Sequence, residues 1–384
     1  MLLVLLGLGC FGLLTSTVFA GMVVAGARHH LRQREEAGEF TPPLSLLKPL
    51  HGAEPGLEAN LATFFEQDYP DYEILFCARD AADAGLEMAR RAAARYPLVA
   101  ARFFNTGEPK YINAKVHSME VMAGAAAHEI LVISDSDVRV TRDYLRAVAA
   151  PFADPEVGAM TCLYRGVAAE GGLWARLEAV GMSVEMTAGV LVANMLEGMQ
   201  FVLGPTMAVR AACVQAMGGM GVLGDYCADD FLLGNEVFKQ GSRVALSHHA
   251  IDHMVINSSF ASSMAHQVRW MKSTRFSRPK GHFGTALTFS MPFGLLALGC
   301  AMAMGRPLLG VGLLAWAMLT RWAIAWAAGG RVVRDPSWLG LYGLYPLRDL
   351  MGFGFWAASY FSSEIVWRGK LYQLLPGGRM RAVR

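Results

Sequence analysis

The sequence predicts an α/β domain held at a membrane by apolar helices near both ends of the chain. Three observations carry that expectation. Residues 1–27 are almost wholly apolar, with no charged side chain before Arg28, and further apolar stretches come late in the chain. Between them, residues 40–284 have ordinary polarity, and short apolar runs alternate with segments of helical spacing. The run Ile130–Ile133 passes straight into Asp135-Ser136-Asp137. That places two carboxylates at the carboxyl end of a buried strand, the edge of an open α/β sheet where ligands bind.

The 384 residues suffice for one large domain or two small ones. At 54% hydrophobic the chain is too apolar for an ordinary soluble enzyme. Its formal net charge of +2 creates no field suited to nucleic acid. The six cysteines (Cys10, Cys77, Cys162, Cys213, Cys227, Cys300) are scattered, with no Cys-x-x-Cys or His/Cys metal spacing. Reduced thiols in a cytoplasmic-type compartment are expected, without a disulfide framework.

Residues 1–27 are long enough to span a bilayer. A cleaved signal peptide wants a basic start, and here the charges come after the apolar run instead: Arg28, Arg32 and Arg34, with His29 and His30. The positive-inside rule puts this basic flank and the polar block beyond it on the cytoplasmic side. Residues 285–304 and 307–328 read as a transmembrane hairpin broken at Arg306-Pro307. Arg321 inside the second arm is costly in lipid unless paired or near an interface. Residues 337–363 are apolar but hold Arg348 and Asp349, so they span, re-enter or lie at the interface. The tail, residues 364–384, carries Arg368, Lys370, Arg379, Arg381 and Arg384, which favours a cytoplasmic C-terminus. Three or four spans are expected.

Between the membrane segments the elements come in order. Residues 44–50 are a short apolar stretch containing Lys48-Pro49. Residues 56–66 have helical spacing in Leu57, Leu61, Phe64 and Phe65, and 72–77 read as a strand. A helix over 87–95, a strand over 99–104, a helix over 114–128 and the strand ending before Asp135 continue the alternation. This alternation implies a mainly parallel sheet with helices on both faces. No Gly-x-Gly-x-x-Gly or Walker sequence supplies a phosphate loop. Residues 172–197 are helix-like; Met182, Met186, Val190, Met195 and Met199 read either as core or as an adaptable apolar groove.

Four features then stand in chain order: Asp80 after the second strand, Asp135 and Asp137 after the fourth, Asp229-Asp230 opening an apolar helix, and His266-Gln267-Val268-Arg269-Trp270. This order resembles membrane nucleotide-sugar glycosyltransferases of the inverting type, which carry successive Asp motifs and then (Gln/Arg)-x-x-Arg-Trp. Lys48-Pro49-Leu50-His51-Gly52, Thr63-Phe64-Phe65-Glu66-Gln67-Asp68-Tyr69-Pro70, Asp135-Ser136-Asp137 and Ala228-Asp229-Asp230 look like the ceramide glucosyltransferases. Bacterial hopanoid glycosyltransferases share much of the pattern. The resemblance covers about residues 45–275 and the membrane layout. Two positions depart from it: His266 stands where the pattern has Gln or Arg, and Asp137 where the animal ceramide enzymes have glycine.

The resemblance implies an A-type nucleotide-sugar transferase, Rossmann-like domain over residues 40–284, integral to a bacterial inner membrane or its equivalent, with that domain cytoplasmic. It implies a UDP-sugar donor, Mg2+ or Mn2+, a membrane lipid acceptor (ceramide or hopanoid) and no nucleic acid. Asp80 would accept a hydrogen bond from the uracil ring or ribose, and Lys115 would meet a phosphate or the sugar. Asp135 and Asp137 would hold the metal against the diphosphate. Asp230 would be the general base, with Asp229 as the alternative or as the neighbour that raises its proton affinity. Arg269 would grip a phosphate bidentately, and Trp270 would stack on the acceptor or exclude water; His266 can donate a hydrogen bond but is not obligatorily charged, so the resemblance does not carry a phosphate contact to it. His248, His249 and His253 lack a supporting carboxylate or thiol pattern and read as ordinary loop or core residues. The expected reaction is inverting transfer of glucose from UDP-glucose to the primary hydroxyl of ceramide, giving β-glucosylceramide. The alternative is a hopanoid acceptor with UDP-N-acetylglucosamine. A processive polysaccharide synthase would need a channel from more spans than this chain offers.

Overall fold

Parallel sheets bury their central strands on both faces and leave only the edge strand partly exposed. β1 (Leu44–Pro49), β2 (Tyr72–Ala78), β3 (Ala100–Asn105) and β4 (Ile130–Ile133) pair in parallel in the order β3-β2-β1-β4, with Leu47 opposite both Leu75 and Ile133. Helices Leu57–Phe65, Ala84–Ala94 and Ala114–Ala125 make the crossovers. This computed structural model describes residues 1–33, 40–168, 172–256, 259–367 and 369–383. Arg34, Arg368 and Arg384, three of the charges flanking the apolar segments, lie outside the described residues.

The second half of the sheet differs from the parallel expectation. β5 (Val138–Arg139), β6 (Val157–Ala168), β7 (Met207–Arg210) and β8 (Arg243–Val255) complete an eight-stranded mixed sheet, β3-β2-β1-β4-β7-β6-β8-β5. The pairs β4–β7, β6–β7 and β5–β8 are antiparallel. β4 and β5 follow each other in sequence but are not paired: β5 lies at the far edge, beside β8.

Two side-chain caps fix the helices that flank the sheet edge. Asp83 accepts from Gly85 N (2.8 Å) and Leu86 N (3.2 Å), and also from Gly52 N (2.9 Å). Gly52 reaches it with φ +69°, a left-handed conformation that costs glycine little. Asn113 caps the next crossover helix by accepting from Lys115 N at 3.1 Å, which sets Lys115 in the first turn.

By its internal contacts the chain divides into a sheet unit (Arg34–Tyr164, Glu197–Met254, Arg379–Arg384) and a helical unit (Met1–Gln33, Arg165–Leu196, Val255–Gly378). In the sheet unit, helix Asp229–Lys239 packs on residues 201–202 through Gly234, where an added Cβ would stand 2.4 Å from Val202 N. Backbone cannot give way as a flexible side chain does. Gly234→Ala is therefore expected to destabilise the fold by roughly 1–3 kcal/mol, read as a lowered thermal midpoint.

In the helical unit, three helices among the described residues are long and apolar enough to cross a membrane: Leu2–Arg32, Leu173–Glu197 and Pro307–Val332. Pro279–Thr288 and Met291–Ala303, bent by 45°, together pass the same test. The stretch Leu173–Glu197 enters on hydropathy, yet Met182 and Val190 are buried while Leu173, Met186 and Leu196 are exposed. Small residues let the helices close up: an added Cβ at Gly12 would meet the Phe293 ring at 2.1 Å, and one at Gly294 would meet Ala317 Cβ at 2.7 Å. Arg321 has a partner that the sequence did not reveal, Asp349 Oδ1 at 2.7 Å. Asp349 Oδ2 also accepts from Ser290 N and Met291 N, capping helix Met291–Ala303. The basic tail is partly structured, with Lys370–Leu374 antiparallel to Glu364–Trp367.

Candidate active site

The parallel register of β1 and β4 decides the first part of the site. Leu47 faces Ile133, so the next residue, Lys48, lies beside the exit of β4. Lys48 Nζ donates to the Asp135 carbonyl (2.5 Å) and to Ser134 Oγ (3.4 Å), with the Phe64 ring centre 3.7 Å away. Burial pushes this ammonium down to about 7, although the Asp135 and Asp137 carboxylates pull the other way.

Lys115 sits between two acidic segments. Its Nζ lies 2.7 Å from Asp135 Oδ1 and 3.6 Å from Asp229 Oδ2. Burial alone would lower its proton affinity; the two carboxylates outweigh that and raise it. Asn113, whose side chain caps this helix, also donates to Asp229 Oδ1 (3.3 Å) and the Tyr226 carbonyl (3.1 Å).

Asp229 and Asp230 open helix Asp229–Lys239, where negative charge suits the helix dipole. Asp230 accepts from Phe231 N (2.7 Å) and Gly204 N (2.9 Å). A Cβ added at Gly204 would stand 3.3 Å from Asp230 Oδ2 and 3.6 Å from Asp135 Oδ2. Two carboxylates far apart in sequence therefore converge on one glycine. Burial, then repulsion from Asp229, pushes Asp230 up to about 6, against the pull of the Phe231 amide, Lys115 and the Gly204 amide.

Asp137 Oδ2 lies 3.1 Å from His253 Nε2, on β8. Burial raises the Asp137 carboxyl, but His253 and Lys48 outweigh it and hold it below the usual range. Its Oδ1 is buried with no hydrogen-bond partner. His253, read from sequence as ordinary, packs edge-on against Tyr164 at 5.5 Å and belongs to this cluster.

Asp80 is exposed in the turn after β2, where its carbonyl accepts from Asp83 N at 3.1 Å. β1 lies between β2 and β4, so the strand ends carrying Asp80 and Asp135 are two strand spacings apart, about 10 Å. In the helical unit, helix Phe260–Ser277 carries His266, Arg269 and Trp270, and the His266 and Trp270 ring centres are 4.2 Å apart. His266 Nδ1 lies 2.7 Å from Glu178 Oε1.

Lys48, Asn113, Gly204, His253 and Glu178 had no role in the sequence reading. Only Lys48 stood in a motif there, at the head of Lys48-Pro49-Leu50-His51-Gly52.

The chain matches the family model described as Glycosyl transferase family 21 over residues 12–380. Ceramide glucosyltransferase 1 of Caenorhabditis elegans is 24% identical over 357 residues, 92% of this chain and 76% of the nematode protein. Ceramide glucosyltransferase 3 of the same organism is 24% identical over 360 residues, 92% and 77% of the two chains. Among solved structures, the mannosyltransferase PcManGT from Pyrobaculum calidifontis, in complex with GDP-Man and Mn2+, superposes with a TM-score of 0.53 at 19% identity. It covers 92% of this chain and 97% of that one, a likeness of fold.

Proposed function

The chain belongs to Glycosyl transferase family 21 and is a glycosyltransferase, and we propose that it moves glucose from UDP-glucose to the primary hydroxyl of ceramide with inversion, giving β-glucosylceramide. The observation that carries the site assignment is the meeting of Asp135 and Asp230 at Gly204, with Lys115 bridging Asp135 and Asp229. Asp230 takes the acceptor hydroxyl proton as that oxygen attacks the anomeric carbon. The new glycosidic bond forms as the bond to UDP breaks, and UDP leaves with the electron pair. Base and leaving group lie on opposite faces of the sugar, as inversion requires. Asp80 takes the nucleoside end and Asp135 the diphosphate end, a separation that the strand spacing suits. Lys115 meets the diphosphate; for Arg269 and Trp270 the sequence motif alone supports a phosphate contact and an acceptor contact.

Asp135 and Asp137 fit a hard divalent cation such as Mg2+ or Mn2+. Oxygen ligands are what such ions take, and the buried, unpartnered Oδ1 of Asp137 is a ready donor. Among the described residues no three His, Cys, Asp or Glu side chains gather as a ligand set; Asp135 and Asp137 would hold the ion, with the diphosphate and water as further oxygen ligands. When bound, the ion supplies Lewis-acid stabilisation of the leaving diphosphate. Chelation with EDTA is expected to abolish transfer and added Mn2+ to restore it. Asp137→Asn should raise the Mn2+ concentration for half-maximal rate at least ~10-fold, the scale seen even for lost outer-shell partners.

The apolar helices hold the sheet domain at the membrane, on the cytoplasmic face by the positive-inside rule. Acceptor chains then run along the exposed Leu173, Met186 and Leu196. The decisive experiment incubates membranes containing the full chain with single UDP-sugars, with mass spectrometry of the extracted lipid as readout. A hexosylceramide formed from UDP-glucose is expected. Sugar on a hopanoid instead, or no glycolipid from any UDP-sugar, would overturn the assignment.

A further inference from the structure

We propose that Glu178 is a positioning residue for the segment His266–Trp270, with His266 as its hydrogen-bond donor. The inference rests on the proposed roles of Arg269 and Trp270. The Glu178 side chain is fully buried. Its Oε2 accepts from Ser263 Oγ at 2.8 Å and its Oε1 lies 2.7 Å from His266 Nδ1. Ser263 and His266 are three residues apart, on one face of helix Phe260–Ser277. One carboxylate therefore grips one helical turn with both oxygens, and that fixes the rotation of the helix about its axis. The His266 ring lies against Trp270, one turn on, so the grip passes directly to the motif. A second hold comes at the next residue: Arg348 Nη2 donates to Gln267 Oε1 at 3.0 Å and pairs with Glu185 Oε2 at 3.0 Å.

The motif pattern has Gln or Arg at the first position, and this chain has His. The three differ in charge, length and shape. What they share is an N–H that can reach a buried carboxylate. A carboxylate left buried without that donor is costly, which makes the donor the requirement. In this chain the Nδ1 of His266 supplies that donor.

The test uses the full chain in lipid nanodiscs, with steady-state kinetics for UDP-glucose and ceramide, UDP titration and thermal unfolding. His266→Gln and His266→Arg keep a donor and are expected to retain kcat/KM within about 3-fold. His266→Leu and Glu178→Leu are each expected to lose at least about 30-fold. The loss falls in kcat and in the KM of both substrates, with UDP affinity weakened as well, because Arg269 and Trp270 are displaced together. The double variant should be no worse than the poorer single one, because both remove the same bond. Should Glu178→Leu not fold, Ser263→Ala breaks only the second contact; a several-fold loss of kcat/KM at an unchanged melting point is then expected. The proposal is overturned if His266→Gln weakens UDP binding and activity as much as His266→Leu, or if Glu178→Leu or Ser263→Ala is silent. An inactive wild-type chain would instead strike at the glucosyl-transfer reading itself.

Discussion

Asp230→Asn is expected to lower kcat by about 10²–10⁴-fold while leaving the KM for the sugar nucleotide within a few-fold. That range is what a positioned general base contributes. The substitution keeps the shape of the side chain at the Gly204 contact and removes its ability to take a proton. Two stability effects oppose each other: relief of a buried charge, and loss of one of the two acceptors for Phe231 N and Gly204 N. The melting point should therefore move little, which separates lost chemistry from lost folding. The pH profile gives the sign. Asp230 is raised to about 6, and the base must be ionised to act. Wild-type kcat/KM for the acceptor should fall tenfold per pH unit below about 6 and level off above it. In the Asn variant that acid limb should vanish, leaving a low and flat residual rate. UDP release measured from pH 5 to 8 reads both. A variant retaining the wild-type rate, or the wild-type acid limb, would assign the base to another residue.

The parts of this site that lie next to each other in the chain were legible in the sequence. Asp135 and Asp137 stand one residue apart after an apolar strand, and Asp229-Asp230 adjoin at a helix start. The four parallel strands were legible for the same reason, since each is a short apolar run with turn residues at its ends. The antiparallel half was not, because β5 is only two residues long and its neighbours are chosen by pairing with β8 and not by local pattern. Lys48 gains its place from the register of β1 on β4, and His253 from the register of β8 on β5. Gly204 has no side chain to signal anything; its meaning is the space it leaves for Asp135 and Asp230. Arg321 and Asp349 were each visible as a charge in an apolar stretch. Their pairing appears only when helices distant in sequence pack together.

Lys115→Met is expected to be the most damaging change to the folded sheet unit and to shift the chemistry as well. Methionine matches the volume of the lysine stem but leaves Asp135 and Asp229 without their cation. Breaking a buried pair by removing one partner costs about 3–5 kcal/mol, because the surviving charge stays buried. For a domain of this size that is a fall in melting point of roughly 10 °C. The wild-type contribution does not fade across the working range. Lys115 is raised above its ordinary value, so its stabilisation is fully present below about 10 and is lost only as the amine itself titrates. In the variant Asp230, released from the pull of Lys115, binds its proton more readily, so acid partly repairs the fold. The gap in melting point should therefore be widest near pH 8 and should narrow towards pH 5. Activity moves the opposite way. Lys115 holds the Asp230 carboxyl down, and without it the acid limb should climb above pH 6. Acid thus restores the variant's stability while removing the ionised base that it needs. Equal melting-point gaps at pH 5 and pH 8, with an unmoved acid limb, would show that Lys115 is not coupled to the Asp135–Asp230 cluster.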